Sequence, residues 1–505
     1  MHFKEALRYI PDLHTKLFSA LVRKAAQEWM LNPPTARTVR PPRWERTLPS
    51  RRIGVGDIAI PTQDEDWPAR SLKERLMIWF LSSPFLPIRD YDTPWSDEGV
   101  ASEVIESLLP IGDILPAPDH HWAEMKSDSA LSRLAFRSLG AWNLEGVELA
   151  QYPDVVWKAD FSLLADFAVR DGFERYGATA FFLADQSLHH IYWCSQERDI
   201  FPGDPEWAHA KWVWKNSMLV QITIVDHLLR THWTMASPIT RASREQLSAA
   251  HPIRRLMHPF TFRTITINHK SSFSLVPVKG FIHRTTAMTS ASHRRLLNQA
   301  ADLVEYETFP DRCRRQKVHS LGASSPPIQD GLEYWELIHA FVGEFIDNHY
   351  AHDTLIDDQE LSGLWTALQR LPQSRNIGAL SKEALVNYLT QVIWTVTGLH
   401  QYVGNPLEFI LQPSFLSTKI RPGKEVADIQ ATLQSFSIIG LTGLPQTPLL
   451  GDYTHLVDDP EDKACLQRFQ QRLEALAASI EKRNEARPEP FNSFNPRFMN
   501  CSVSI

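Results

Sequence analysis

The run WVWKNSMLVQITIV, which begins at Trp212 and passes into DHLLRTHW at Asp226 to Trp233, constrains the fold more than any other part of the chain. A helix that is apolar on most of its faces is stable only where other elements surround it. The run therefore predicts a central buried helix with a mainly helical protein built around it. The same segment places His227 and His232 five residues apart. With about 3.6 residues per turn, positions i and i+4 share a face of an α-helix, whereas i+5 points well round the cylinder. Either the two imidazoles face apart, each with its own hydrogen-bond partner, or the helix departs from α geometry at this point. A π-helical turn, bonded i→i+5, would bring both rings onto one side, and such turns are frequent at functional sites.

The 505 residues suffice for a large core or for several domains. A hydrophobic content of 43% with 22% charged residues is ordinary for a globular protein. The net charge of -7, with no concentrated basic block, argues against nucleic acid as a partner, because that affinity rests on neutralising phosphates. No charge-free apolar run is long enough to span a bilayer, which leaves peripheral membrane contact open. Cys194, Cys313, Cys465 and Cys501 stand far apart and form no CxxC pair, so neither a disulfide framework nor a thiolate zinc site is expected. A reducing, cytoplasmic setting is the default expectation.

The N-terminal segment lacks a signal peptide's uninterrupted apolar centre and reads as an amphipathic helix. It is followed by the Arg/Pro-rich connector NPPTARTVRPPRWERTLPSRR. A further helix is expected around SLKERLMIWFL, and ATAFFLAD and HHIYWCSQ, divided by QSL, read as a short hairpin. From about residue 206 helical periodicity dominates. It runs through SREQLSAAHPIRRLM, SHRRLLNQAADLVEY, GLEYWELIHAFVGEFIDNHY, KEALVNYLTQVIWTVTGLHQYV and the acid-to-base helix DPEDKACLQRFQQRLEALAASIEKRNEA. The organisation expected is an N-terminal helix and connector over residues 1–60 and one helical domain over 61–505.

Twenty histidines produce some pairs by chance, so H-x4-H alone is a weak signal. Two features strengthen it. A second apolar helix carries His400 near its end, in IWTVTGLHQYVGN, and the chain closes on the uncharged FMNCSVSI. Such a tail frays in water unless it is buried, and a buried α-carboxylate needs a cation or a metal. Three neutral imidazoles and a carboxylate, with positions left for water or oxygen, suit iron or manganese, with zinc as the competitor.

These features, in this order, resemble the lipoxygenase family over most of the chain, from about Asp128 to Ile505. HLLRTH looks like the family's first ligand pair, LSAAHPIRRLMHP followed by FRTITIN like the segment after it, TGLHQYVGN like the helix of the third ligand, and NCSVSI like the family's ending. The resemblance implies a mainly α, lipoxygenase-like helical catalytic domain with a small antiparallel β element, of the kind that lacks an N-terminal β-barrel lipid-association domain. It implies one non-haem iron, or manganese, held by His227, His232, His400 and the carboxylate of Ile505. The family commonly adds a side chain four residues after the third histidine. Here that position is Gly404, so water is expected in its place, with Asn405 as a further candidate ligand. The implied reaction takes a hydrogen atom from the methylene between two cis double bonds of a polyunsaturated fatty acid and adds O2 to give a hydroperoxide. Lys270 matches a position that pairs with the substrate carboxylate in some members. Ser271 matches one that correlates with the stereochemistry of oxygenation, and Leu275 and Ile282 match residues that clamp the acyl chain. Gly404 and Ser271 also motivate an alternative, a diverged enzyme acting on a fatty hydroperoxide or on a non-fatty biosynthetic intermediate. His189, His190, His251 and His258 match no ligand and are expected to be structural or exposed.

Overall fold

The computed structural model describes residues 47–56, 58–63, 126–278, 280–350, 354–404, 416–428 and 447–503, together with residues 92–94. Of residues 92–94, 354 and 426–428 only the backbone is described. The expected N-terminal helix, most of the connector and the helix around SLKERLMIWFL lie outside the described residues.

A two-stranded hairpin, β1 (Ser50–Arg52) and β2 (Ala59–Pro61), comes first, and β3 (Asp92–Pro94) pairs with the distant β9 (Val426–Asp428). Helix α1 (Asp128–Arg137) starts on Ser127, whose hydroxyl accepts from Ala130 N at 3.1 Å. A short 3₁₀ turn (Leu139–Asn143) then leads into an antiparallel sheet of β4 (Leu144–Gly146), β5 (Val155–Asp160), β6 (Ala178–Leu183), β7 (Leu188–Trp193) and β8 (Arg198–Ile200), each strand beside the next in sequence. The hairpin expected from ATAFFLAD and HHIYWCSQ is β6–β7, at the centre of a larger sheet than was expected. β4 and β8 are three residues each, too short to show an alternating pattern.

Helix α2 (Trp207–Gln221) packs on this sheet and continues without a break into a π-helix, π1 (Ile222–Ala236), and then α3 (Ser237–Gln246). Every residue of α2 from Trp212 to Gln221 is buried, as expected for a central element. Several of its polar groups bond within the helix or to the sheet. Asn216 Nδ2 donates to Trp212 O at 2.7 Å, Ser217 Oγ to Val213 O at 2.7 Å, and Trp214 Nε1 to Ala159 O on β5 at 3.0 Å.

The expected helix over SREQLSAAHPIRRLM is two helices, α3 and α4 (Pro252–Met257). Pro252 disfavours helical backbone at the residue before it, and His251, at ψ 131°, instead caps α4 by accepting from Ile253 N at 3.1 Å. Next come α5 (Thr264–Ser274), α6 (Phe281–Thr285), α7 (Ser290–Leu303) and α8 (Phe309–Arg315), then the long α9 (Pro326–His349) and α10 (Gln359–Gln369). Helix α11 (Lys382–Trp394) runs into a second π segment, π2 (Thr395–Leu399), and α12 (His400–Gly404). Helix α13 (Pro460–Asn484) packs on α9, where Phe341 and Phe469 stack at 4.0 Å. Four tryptophans, Trp212, Trp214, Trp233 and Trp394, are less than 2% exposed and anchor the core around the two π segments. Truncating any one of them to alanine is expected to cost about 3–5 kcal/mol.

A buried three-histidine centre

The two π segments arise where threonines sit in largely buried helices. Thr231 Oγ1 donates to His227 O, Thr234 Oγ1 to Arg230 O at 3.0 Å, and Thr397 Oγ1 to Ile393 O at 2.6 Å. Such back-bonding competes for carbonyls that an α-helix would use and loosens the turn. The i→i+5 pattern follows: Ser237 N donates to His232 O, and His400 N to Thr395 O. Gly398 in π2 has a packing reason, since a Cβ there would meet Phe494 Cε1 at 2.8 Å and Tyr334 Cε1 at 2.9 Å.

The widened helix puts His227 and His232 on one side, and α12 brings His400 to them. His232 Nε2 lies 3.2 Å from His227 Nε2 and 3.1 Å from His400 Nε2. All three ring centroids are 4.9 Å apart, with the planes inclined at 54° to 67°. His232 and His400 are buried and His227 half-buried. Among the described residues this is the one group of His, Cys, Asp or Glu side chains placed to share a metal ion.

The partner on the far side of the ring fixes the chemistry of His232. Asn268, on α5, donates its Nδ2 to His232 O at 3.0 Å, which turns its Oδ1 toward His232 Nδ1 at 2.9 Å. A carbonyl oxygen can only accept, so Nδ1 carries the proton and Nε2 presents a lone pair to the other two rings. Burial pushes His232 down to about 4 against the raising effect of that bond, and burial followed by the neighbouring His232 pushes His227 well below the ordinary value. His227 and His232 are therefore neutral at pH 7. Converging lone pairs on neutral imidazoles, one of them held by an outer amide, suit a divalent first-row metal. Donors 3.1–3.2 Å apart are also at the separation two ligands of one ion adopt at roughly a right angle with bonds of about 2.1 Å. The donor set fits a metal.

Gly404 forms part of the wall. A Cβ built there would stand 2.6 Å from His227 Nε2 and 2.9 Å from two further ring atoms. The imidazole of His227 thus lies where a side chain of residue 404 would project. Asn405 and Ile505 fall outside the described residues. The tail leading to Ile505 is buried from Met499 to Val503. Cys501 N donates to Thr447 O at 2.9 Å, and Ser502 Oγ to Phe262 O at 2.9 Å, so the segment is pinned rather than frayed.

The remaining candidates lie on α5 and the turn after it. Ser271 is buried and its hydroxyl is engaged twice, donating to Asn268 O at 2.8 Å and accepting from Trp233 Nε1 at 3.2 Å. It joins α5 to π1. Ile282 is buried, Leu275 half-buried, and Ile282 N donates to Leu275 O at 3.1 Å, so the two meet across the α5–α6 turn. Lys270 is half-buried, with its ammonium shielded from solvent. A cleft of about 460 Å³, open mouth included, adjoins both π segments beside Arg230, Thr395 and Leu399. None of the three histidines lines it, and Arg312, Glu305 and Glu307 on its wall suit water better than hydrocarbon.

Sequence reasoning missed Asn268 and Asp226. Asp226 is buried beside His227 and accepts from Trp142 Nε1 at 2.9 Å and Asn143 Nδ2 at 3.3 Å, tying π1 to the 3₁₀ turn after α1. A buried-looking acid next to a candidate ligand was the available signal. Among the histidines without a ligand match, His251 bonds Asp358 at 3.0 Å, and His190 stacks on Phe181 at 4.4 Å, both structural roles.

Two π-widened helices in a helical frame, converging on three clustered imidazoles, define a helical protein with a three-histidine centre. Residues 203–406 match the lipoxygenase family model. The polyunsaturated fatty acid lipoxygenase ALOX15 of Homo sapiens is 29% identical over 334 residues, 60% of this chain and 50% of that protein. ALOX8 of Mus musculus is 28% identical, over 59% of this chain and 48% of its own. The chain spans about half the length of the curated relatives it matches. Among solved structures, a coral 8R-lipoxygenase superposes with a TM-score of 0.74 at 16% identity, covering 96% of this chain and 81% of that one. A calcium-dependent 11R-lipoxygenase does so with a TM-score of 0.74 at 16% identity, covering 98% and 81%. Residues 203–406 thus resemble a lipoxygenase domain, and the chain has the helical fold of the lipoxygenase catalytic domains. Among the described residues no helix is long and apolar enough to cross a membrane.

Proposed function

We propose that the protein is a non-haem metal dioxygenase of polyunsaturated fatty acids, with iron as the metal and manganese as the alternative. The observation that carries this reading is the convergence of the Nε2 atoms of His227, His232 and His400, at 3.1–3.2 Å, from two helices far apart in sequence. These three would hold the ion. The carboxylate of Ile505 is the proposed fourth ligand, supported by the burial of the tail from Met499 to Val503, and Asn405 remains a further candidate ligand. The chemistry such an ion would supply is one-electron redox: a bis-allylic methylene would lose a hydrogen atom, O2 would add to the carbon radical, and return of a hydrogen atom to the peroxyl radical would complete the hydroperoxide.

The chain's own residues prepare that reaction. Asn268 holds the proton of His232 on Nδ1 and so keeps Nε2 available. Ser271 spends its hydroxyl within the α5–π1 contact, so this small residue offers an acyl chain little polarity. Leu275 and Ile282 are the proposed apolar clamp, and Lys270 the proposed partner of the substrate carboxylate through a charge-assisted bond. Fixing one carbon of a flexible chain against the centre is a positioning effect, supplied by these packed walls. The support for a fatty-acid substrate is the match of residues 203–406 to the lipoxygenase family model and a lipoxygenase structure of the same fold described as a complex with arachidonate.

Oxygen uptake with linoleate-like acids, accompanied by conjugated-diene absorbance, is the test. Metal-loaded protein that stays silent across a panel of such acids would count against the reading. Gly404 favours a second reading, in which a centre without a side-chain ligand at that position rearranges fatty hydroperoxides. Oxygen-independent turnover of a hydroperoxide, without direct dioxygenation, would select it.

A further inference from the structure

Four large apolar side chains stand exposed among the described residues, and two of them, Phe273 at 49% and Val278 at 59%, fall within six residues at the end of α5 and in the turn that follows. The turn, SLVPV, also exposes Pro277. Connecting segments that face water are normally polar. This one presents an apolar tip held stiffly, since Gly280 N donates to Pro277 O at 2.6 Å and Ile282 N to Leu275 O at 3.1 Å.

The surroundings are cationic. Arg51 and Arg52 on β1 are both exposed, and the Arg51 guanidinium lies 4.2 Å from the centroid of the Phe273 ring. The sequence around the turn is biased in the same sense. In a chain of net charge -7, residues 246–301 contain no Asp or Glu and eight Lys or Arg. Arg254 and Arg284 among them are buried, while Arg294 and Arg295 reach the surface.

We propose that the α5–α6 turn, with Arg51 and Arg52 beside it, is a docking surface for an anionic lipid bilayer. Phe273, Pro277 and Val278 enter the acyl boundary while the guanidinium groups remain at the level of the lipid phosphates. An apolar tip with a basic rim is the arrangement that both interfacial terms favour, burial of apolar area and attraction to a negative surface. Arg51 can stay stacked on Phe273 with its charge in the headgroup layer. On the functional reading above, Leu275 and Ile282 belong to the same turn, so an acyl chain leaving the bilayer would meet the proposed clamp directly.

Sedimentation of the full chain with vesicles tests the surface without requiring metal or turnover. Binding to mixed phosphatidylcholine–phosphatidylglycerol vesicles is expected, weaker with phosphatidylcholine alone and weaker at high salt. F273S/V278S should lower partitioning by about tenfold or more, and R51Q/R52Q by a comparable factor on the anionic vesicles only. All four side chains are exposed, and an unchanged circular dichroism spectrum would confirm the fold. Absence of vesicle binding by the wild type, equal binding to neutral vesicles, or binding indifferent to both pairs would overturn the proposal. The dioxygenase reading would stand or fall separately, on oxygen uptake with dispersed acids.

Discussion

Helix α13 and the helix that becomes π1 are both long, yet they are built by opposite rules. In α13 one face is buried, with Cys465, Leu466, Phe469, Leu473, Leu476, Ala477 and Ile480 at three- and four-residue steps. Its other faces meet solvent. Asp459 caps it by accepting from Glu461 N at 2.7 Å, acids fill the first turn, and Lys482 and Arg483 fill the last. Each device satisfies a free helix end or complements the dipole, and the helix stays regular. π1 has no side-chain cap, merges with helices at both ends and is buried nearly throughout. Constrained on all sides, it yields its α geometry to place His227 and His232 together. A helix with one buried face obeys its period; one buried all round follows what its surroundings need, and the candidate centre lies there.

The sharpest way to break this contrast uses two helical glycines. Gly404 abuts His227 Nε2, where a Cβ would stand at 2.6 Å, whereas a Cβ at Gly343 on α9 would meet nothing within 4 Å. Gly404→Ala should displace the ring and lower metal affinity by more than tenfold, even though alanine favours helix by about 1 kcal/mol. Gly343→Ala should leave the metal untouched and raise stability by about 0.5–1 kcal/mol. Metal titration and urea melts of both variants give the comparison; equal behaviour would remove Gly404 from the wall of the site.

A smaller effect is expected outside the ring of ligands. Asn268→Leu keeps the branched shape of the side chain but removes the acceptor of His232 Nδ1. Loss of such an outer partner typically costs about 10–100-fold in metal affinity. Wild-type affinity in this variant would mean that the His232 tautomer is set elsewhere. On the regular side of the contrast, Asp459→Ala should cost about 1 kcal/mol of stability and leave metal content unchanged.

These differences explain what the sequence made legible. The period and end signals of α13, the start of α11 and the β6–β7 hairpin are local, and each lies where the pattern placed it. The spacing of His227 and His232 signalled a π turn because five residues fit no α face. The full extent of π1, over fifteen residues, was not legible, since it depends on which carbonyls Thr231 and Thr234 capture inside the core. Asn268 was hidden for a similar reason. It stands 36 residues from His232, and nothing local marks a helix that will cross another at that point. The break before α4 was readable from Pro252, but the apolar period on either side outweighed it. At Gly404 the missing side chain was legible, but not that the imidazole of His227, from a different helix, stands where its Cβ would project.

The most direct measurement is elemental analysis of the full chain, purified without added chelator, beside His232→Ala and His400→Ala. Close to one iron or manganese per wild-type chain is expected. Either alanine variant should lose most of that metal while keeping its helical circular dichroism. Wild-type protein that neither carries nor takes up a transition metal, or variants that retain it fully, would contradict the claim that these imidazoles form one metal centre.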